Sequence, residues 1–97
     1  MTAAEVEPLE HDIARYIEHL QHEKQYSTHT LAAYRRDLAA FAASLDVHPW
    51  SEVRTAHVRS HASLLHRRGS ATRSIQRALS CVRSFFRYLD RTGVVQG

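Results

Sequence analysis

The sequence is poor in the residues that cross-link or interrupt a chain. Its 97 residues include one cysteine, two prolines and three glycines. The lone thiol, Cys81, cannot form an internal disulfide, and so few glycines leave no glycine-rich loop that could hold a phosphate. No apolar run approaches the roughly 20 residues of a membrane-spanning helix, and the first residues do not have the pattern of a secretory leader. We therefore expect a cytoplasmic protein that does not contact a membrane and folds around its own hydrophobic core.

The sequence also lacks a recognisable catalytic or metal-binding arrangement. Among its eight histidines, His57 and His61 have the spacing of neighbours on a helix, which could hold zinc from one face. No third ligand stands at a defined spacing, and no glutamate follows His57 as in the zinc-protease motif. No nucleophile is accompanied by an activating base. We predict that this chain alone catalyses no reaction and binds no metal or cofactor.

Lysine is nearly absent, and the arginines are unevenly distributed. Of the thirteen Lys and Arg residues, only Lys24 is not an arginine. Residues 1–49 carry a net charge of −4, whereas residues 50–97 carry +7. A planar guanidinium can form paired hydrogen bonds with phosphate or with the edge of guanine. The second half is therefore a candidate polyanion surface with nucleic acid as the leading partner, the alternative being a solvated face that only keeps the protein soluble.

Hydrophobic periodicity predicts four helices and no strand. The predicted helices run from about Leu9, after Pro8, to Lys24, from Ser27 or Thr28 to about Asp46, from Thr55 to Arg68, and from Gly69 to Arg91. Gly69 suits the left-handed position that ends the third helix, and Ser70 is the expected N-cap of the fourth. Connections this short predict a single all-α domain, residues 1–97, built as two packed helical hairpins.

One apolar stripe on each helix is the expected core. The stripes consist of Leu9, Ile13, Tyr16, Ile17 and Leu20; of Leu31, Tyr34, Leu38, Phe41 and Leu45; of Val58, Ala62 and Leu65; and of Ile75, Leu79, Val82, Phe86 and Leu89. Trp50 follows Pro49 in a short turn and is expected to place its indole against the core. Cys81 is expected near the core edge, and Tyr88 on the polar side of the fourth helix.

The polar face of the fourth helix is the strongest functional signal. The residues opposite its apolar stripe are Arg73, Arg77, Ser80, Ser84, Arg87 and Arg91, with Gln76 and Arg83 beside them. This row repeats about once per helical turn, or roughly every 5 Å, which suits a polyanion with regularly spaced charges. The second helix carries a matching polar face with His29 and Arg36, flanked by Thr28 and Arg35.

Two segments of the sequence resemble the tyrosine site-specific recombinases. In residues 26–41 the family's first pattern is filled by Ser27, Thr30, Tyr34, Asp37, Leu38 and Phe41. In residues 69–89 its second pattern is filled by Arg77, Leu79, Ser80, Arg83, Ser84, Phe85, Phe86, Tyr88 and Leu89, after a Gly-Ser turn. The resemblance spans about residues 9–95 and is closest to the Xer recombinases, the XerC type in particular.

The resemblance implies an N-terminal core-binding domain with a SAM-like fold of four helices, whose second and fourth helices address the major groove of a recombination site. Carried over position by position, the implied DNA-binding residues are Thr28, His29, Arg35, Arg36, Ser70, Thr72, Arg73, Gln76, Arg77, Ser80 and Arg83. Most are expected to contact phosphates, whereas Gln76, Arg73 and Arg77 are better suited to base edges.

The resemblance also implies a larger parent enzyme. Such an enzyme nicks and rejoins DNA strands through a phosphotyrosine intermediate, with its catalytic residues in a C-terminal domain, and residues 92–97 would begin the linker to it. The expected partners are a double-stranded recombination site and other recombinase protomers, among them a related Xer-type partner, in a tetrameric synapse that resolves chromosome dimers. The alternative hypothesis is a helical protein-interaction module whose arginine face binds an acidic partner.

Overall fold

The computed structural model describes residues 3–45 and 50–93, and for the first helix it describes side chains from Glu10 onward. The helices are α1 (Ala3–Glu23), α2 (Thr28–Ser44), α3 (Thr55–Arg67) and α4 (Thr72–Arg91), with a single 3-10 turn at Trp50–Glu52 between α2 and α3. The described residues contain no strand, and the predicted all-α class is confirmed. Several positions named in the sequence analysis lie outside this description: the side chain of Leu9, residues Asp46 and Pro49, and most of the expected linker.

The four helices pack as two hairpins that share a core. α1 lies against α2 and α3 against α4, while α4 also contacts α1 and α2. Helices α1, α2 and α4 contribute residues to the buried cluster, whose fully buried members include Leu38, Phe41, Cys81, Phe85 and Leu89, and α3 packs Val58 against it. Trp50 is only 2% exposed, and its ring lies 5.0 Å from that of Phe85 and 5.8 Å from that of Phe86. The expected position of the indole against the core is confirmed.

The start of α1 differs from the prediction. The helix begins at Ala3, so Pro8 lies inside it rather than before it. The reason is visible in the sequence that precedes the proline, because alanine and glutamate are strong helix formers and acids suit the positive end of the helix dipole. Pro8 is the sixth residue of the helix, past the first four whose N–H groups lack intrahelical partners, so it costs α1 one backbone hydrogen bond.

The start of α2 agrees with the prediction. Ser27 is the N-cap, and its hydroxyl oxygen accepts a hydrogen bond of 3.2 Å from the N–H of Thr30. Just before it the chain reverses at Gln25, which has a φ of 54°. The N–H groups of Lys24 and Tyr26 both donate to the Leu20 carbonyl and so close the end of α1. The Ser27 cap thus begins α2 directly after the turn that ends α1.

α4 is rotated about its axis relative to the predicted stripe. The buried residues are Ala78, Cys81, Val82, Phe85, Tyr88 and Leu89, whereas Ile75, Leu79 and Phe86 are only half-buried. At 100° per residue, the centre of the buried arc lies roughly 80° from the predicted centre. The rotation follows from packing, because α4 contacts all three other helices and buries a wider arc than one apolar stripe.

The rotation overturns two expectations about individual side chains. Tyr88 is buried rather than on the polar side, and its ring lies 5.2 Å from Tyr16 and 5.0 Å from His19 on α1. Cys81 lies in the middle of the core rather than near its edge. Burial raises the pKa of its thiol to about 12, so the thiol is a packing group in the folded protein.

α3 contributes a histidine to the core where apolar residues were expected. His61 is 3% exposed, and its ring packs edge-on against Phe41 at 5.3 Å. The three predicted core residues, Val58, Ala62 and Leu65, are half-buried around it. A pattern based on hydropathy scores histidine as polar, so it could not place His61 inside. Burial lowers the pKa of the imidazole, which favours its neutral form in the fold.

The turn between α3 and α4 is closed by backbone hydrogen bonds. Gly69 has a φ of 82°, the Gly69 N–H donates to the His66 carbonyl at 3.0 Å, and the Ser70 N–H donates to the Leu65 carbonyl at 3.0 Å. This is a Schellman motif, and the left-handed position predicted for Gly69 is confirmed. The prediction for Ser70 is wrong, because Ser70 completes this motif and Ala71 is the N-cap of α4.

Candidate nucleic-acid interface

An ion pair joins α2 to α4 where the two helices touch. Arg77 Nε donates to Asp37 Oδ2 at 2.9 Å, and Arg77 Nη2 donates to Asp37 Oδ1 at 3.1 Å. The Arg77 side chain is 43% exposed, whereas that of Asp37 is only 13% exposed. Hydrogen bonding to the carboxylate raises the pKa of the guanidinium above its ordinary value. Beneath the pair, the Cys81 thiol faces the Tyr34 carbonyl at 3.9 Å.

The exposed face of α4 begins beside this pair. Arg73, Gln76, Ser80 and Arg83 are all exposed and lie within about 120° of Arg77 around the helix, on the side away from the core. In the described part of the chain, neither Arg73 nor Arg83 has a hydrogen-bonding or ionic partner. Arg87 donates to the Ser84 hydroxyl at 3.1 Å, further along the same helix. The face therefore presents cationic groups that its own neighbours do not neutralise.

α2 adds two residues to the same side of the molecule. His29 and Arg36 are exposed and lie about 80° to 100° from Asp37 around α2, again on the side away from the core. Both sets of polar residues thus border the ion pair on its solvent side. We call this the α2/α4 surface, and it consists of His29, Arg36, Arg73, Gln76, Ser80 and Arg83.

Apart from Arg77, which belongs to the ion pair that this surface borders, four of the sequence-predicted site residues are not on the surface. Thr28 and Arg35 are exposed but lie about 160° to 180° from Asp37 around α2, on its other edge. Ser70 is half-buried in the turn before α4, and Thr72 is the exposed first residue of that helix. The N-cap of α4, Ala71, supplies no side-chain hydrogen bond to the first turn. The N–H groups at that helix start are consequently suited to an anion.

The sequence reasoning missed the partner of Arg77. The periodicity of α4 shows only residues of that helix, and Asp37 lies on α2, 40 residues earlier in the chain. A signal was nevertheless present, because Asp37 stands beside the buried Leu38 on a helix whose other charged residues are arginines. An acid at the edge of a buried stripe is rarely left without a partner.

The two histidines considered for zinc have other roles on α3. The His57 Nδ1 atom accepts a hydrogen bond of 2.8 Å from the Arg54 N–H and so caps the helix, while the His61 ring lies in the core. Within residues 3–45 and 50–93, no group of three metal-ligating side chains comes together. None of the helices in that part of the chain is long and apolar enough to cross a membrane.

Comparison with known proteins identifies the family. Residues 13–93 match the family described as phage integrase, N-terminal SAM-like domain. The chain belongs to this family. The SAM-like domain had been expected from the two sequence segments that resemble tyrosine recombinases, and that resemblance is confirmed. No solved structure matches the chain.

Relatives of this SAM-like domain include tyrosine recombinases of the XerC type. The tyrosine recombinase XerC of Pseudomonas syringae pv. syringae is 44% identical over 84 residues, which cover 84% of this chain and 28% of the relative. That of Pseudomonas savastanoi pv. phaseolicola is 40% identical over 91 residues, covering 91% and 30%. That of Alcanivorax borkumensis is 41% identical over 81 residues, covering 84% and 26%. The chain thus spans less than a third of the length of these relatives.

Proposed function

We propose that this chain is the DNA-binding N-terminal domain of a XerC-like, site-specific tyrosine recombinase. In this proposal α2 and α4 bind one face of a double-stranded recombination site. The observation that carries it is the α2/α4 surface, an exposed polar face on which two contacting helices present arginines that have no partner among the described residues. The relatives described above support it as well, since each of them is named tyrosine recombinase XerC.

The chemistry of the individual residues suggests how the contacts divide. Arg36, Arg83 and His29 are suited to phosphates, with Ser80 as a neutral hydrogen-bond donor beside them. Gln76 can bracket an adenine and Arg73 a guanine, because both lie near the middle of the exposed face of α4. Arg77 differs from them, because its guanidinium is already paired with Asp37.

Besides Arg77, four predicted residues lie outside the α2/α4 surface, and we assign them to flanking backbone contacts. Ser70 and Thr72 stand at the start of α4, where N–H groups and the helix dipole favour a phosphate. Thr28 and Arg35 stand on the far edge of α2 and are positioned for a neighbouring stretch of backbone. These contacts fix the orientation of the domain without reading sequence.

The proposal extends to the whole recombinase. We infer that it works in the cytoplasm, with a catalytic tyrosine in a further domain that exchanges strands at the site. Other recombinase protomers complete the reaction in a tetrameric synapse, and a related Xer-type recombinase is among them. We infer that this reaction resolves chromosome dimers. The support for this wider role is the similarity to proteins named XerC.

The salt dependence of DNA binding tests the proposed function. A fluorescent duplex selected from a randomised library by this chain is titrated at several salt concentrations, with a scrambled duplex of the same composition as the control. We expect tighter binding to the selected duplex and a log–log slope steeper than about −3, at about −0.9 for each phosphate neutralised. A slope near zero overturns the proposal. Equal binding of the duplex and of polyglutamate would instead support a module that binds an acidic protein.

A further inference from the structure

We propose that Arg77 and Asp37 form a positioning pair that holds α2 and α4 at the spacing the DNA requires, so that Arg77 acts through Asp37 rather than by reading a base. The inference rests on the proposed function and deepens it. It assigns different roles to two arginines of one helix, Arg77 and Arg83, which composition and spacing cannot distinguish.

The geometry of the pair is that of a fixed connection. Two parallel N–H···O bonds of 2.9 Å and 3.1 Å join a planar fork to a carboxylate, an arrangement that restricts rotation as well as distance. The Asp37 side chain is 13% exposed, so it is held by its surroundings and screened from water. The contact is made between the two helices that supply the α2/α4 surface, which is where a change in spacing would alter that surface most.

The net charge of the Arg77–Asp37 pair also supports a positioning role. Arg77 and Asp37 together are neutral, so the pair adds little to the attraction for phosphate, whereas Arg73 and Arg83 carry charges without partners in the described residues. Loss of Arg77 thus removes the connection between the helices without removing an unpaired cation from the α2/α4 surface.

Substitution of Asp37 gives opposite results under the two roles of Arg77. If the pair positions the helices, Asp37→Asn weakens binding to the selected duplex by about fivefold or more, because the charge-assisted fork is lost. If Arg77 instead contacts DNA directly, Asp37→Asn tightens binding, since a nearby negative charge is removed and the guanidinium is released. A tightening overturns the inference.

Arg77→Lys provides a second variant that keeps the positive charge and loses the planar fork. Positioning predicts that it weakens binding to the selected duplex about as much as Arg77→Gln does, and that neither substitution weakens binding further in an Asp37→Asn background. A direct phosphate contact predicts that Arg77→Lys retains binding and that Arg77→Gln weakens it equally in both backgrounds. Either of these results contradicts the inference.

Two further measurements separate positioning from a general loss of structure and from failure of the proposed function. The salt slope of the Arg77→Gln variant is expected to match that of the wild type, whereas the control Arg83→Gln reduces its magnitude by about 0.9. Urea unfolding shows whether each variant is folded at the assay temperature. If the wild-type chain shows no salt-dependent DNA binding, the proposed function fails. If it binds and Asp37→Asn tightens binding, only the positioning role fails.

Discussion

His57 and His61 lie one turn apart on α3 and contribute to the fold in different ways. His57 accepts a backbone hydrogen bond from the Arg54 N–H through Nδ1 at the start of the helix. His61 packs against Phe41, and its buried Nδ1 has no partner among the described atoms. Burial favours the neutral form of the His61 ring, so the attachment of α3 to the core depends on pH.

The pH dependence can be measured at His61. Burial and the nearby Arg68 lower its pKa in the folded state, with Asp37 acting weakly in the opposite direction. Below the unfolded pKa of about 6.5, the unfolded chain therefore binds more protons than the folded one. The free energy of unfolding is expected to fall as the pH is lowered from 7 toward 5.

Urea unfolding at several pH values tests this expectation with two variants. His61→Leu removes the titrating ring and sacrifices no hydrogen bond at Nδ1, so the decrease in stability toward low pH should become smaller. His66→Gln removes an exposed imidazole from the end of the same helix and should leave the decrease attributable to His61 in place. If His61→Leu showed the same pH profile as the wild type, the assignment to His61 would be incorrect.

The buried thiol provides a second prediction for a single residue. A pKa of about 12 leaves Cys81 almost entirely protonated at pH 8, and thiolate is the reactive form. Its reaction with a thiol reagent such as DTNB should be at least about a thousandfold slower in the folded protein than in urea. Rates followed by absorbance in buffer and in concentrated urea, above the unfolding transition, compare the two. A fast reaction in buffer would contradict the observed burial.

Some helix ends are determined by residues close in sequence, whereas others depend on the geometry of the turn between two helices. Ser27 and Gly69 could be predicted because a hydroxyl cap and a left-handed glycine each act within a few residues of themselves. Ser70 could not be assigned in the same way. Its position in sequence fits an N-cap, but its N–H completes the end of α3, and only the geometry of the turn decides which helix it serves.

A substitution at Gly69, which ends α3, measures the free-energy cost of its backbone conformation alone. A methyl group added at Gly69 would meet no atom within 4 Å, so Gly69→Ala introduces no clash. Its φ of 82° remains unfavourable for alanine, and we expect a loss of about 1 kcal/mol in the free energy of unfolding. Thermal or urea unfolding measures it. Gly69→Asn is the matched control and should lose less, because asparagine tolerates the left-handed region better.

At the scale of the whole molecule, the sequence predicts the helix order, the all-α class and the family. These depend on periodicity and on two short motifs, each contained within one helix and its flanks. The rotation of α4 could not be predicted, because it results from simultaneous packing against three other helices. The Asp37–Arg77 pair was missed for a related reason, since it links two residues 40 positions apart.

The uneven charge of the chain predicts where salt sensitivity resides. Arg73→Gln and Arg83→Gln each remove a guanidinium from the α2/α4 surface, so each should reduce the magnitude of the salt slope for duplex binding by about 0.9. Arg15→Gln is the matched control, since it removes an exposed arginine from the acidic helix α1. Titrations at three or more salt concentrations give each slope. An equal change for Arg15→Gln would place the DNA on a different face.

The burial of Trp50 makes the protein its own spectroscopic reporter. It is the only tryptophan of the sequence, and its indole lies among aromatic rings with no hydrogen-bonding partner for Nε1 in the described structure. Unfolding transfers this indole to water and shifts its emission to longer wavelengths. The α2/α4 surface lies on the outer side of α2 and α4, away from the core that holds the indole. The emission of one chromophore can therefore follow the integrity of the core while labelled DNA reports binding in the same sample.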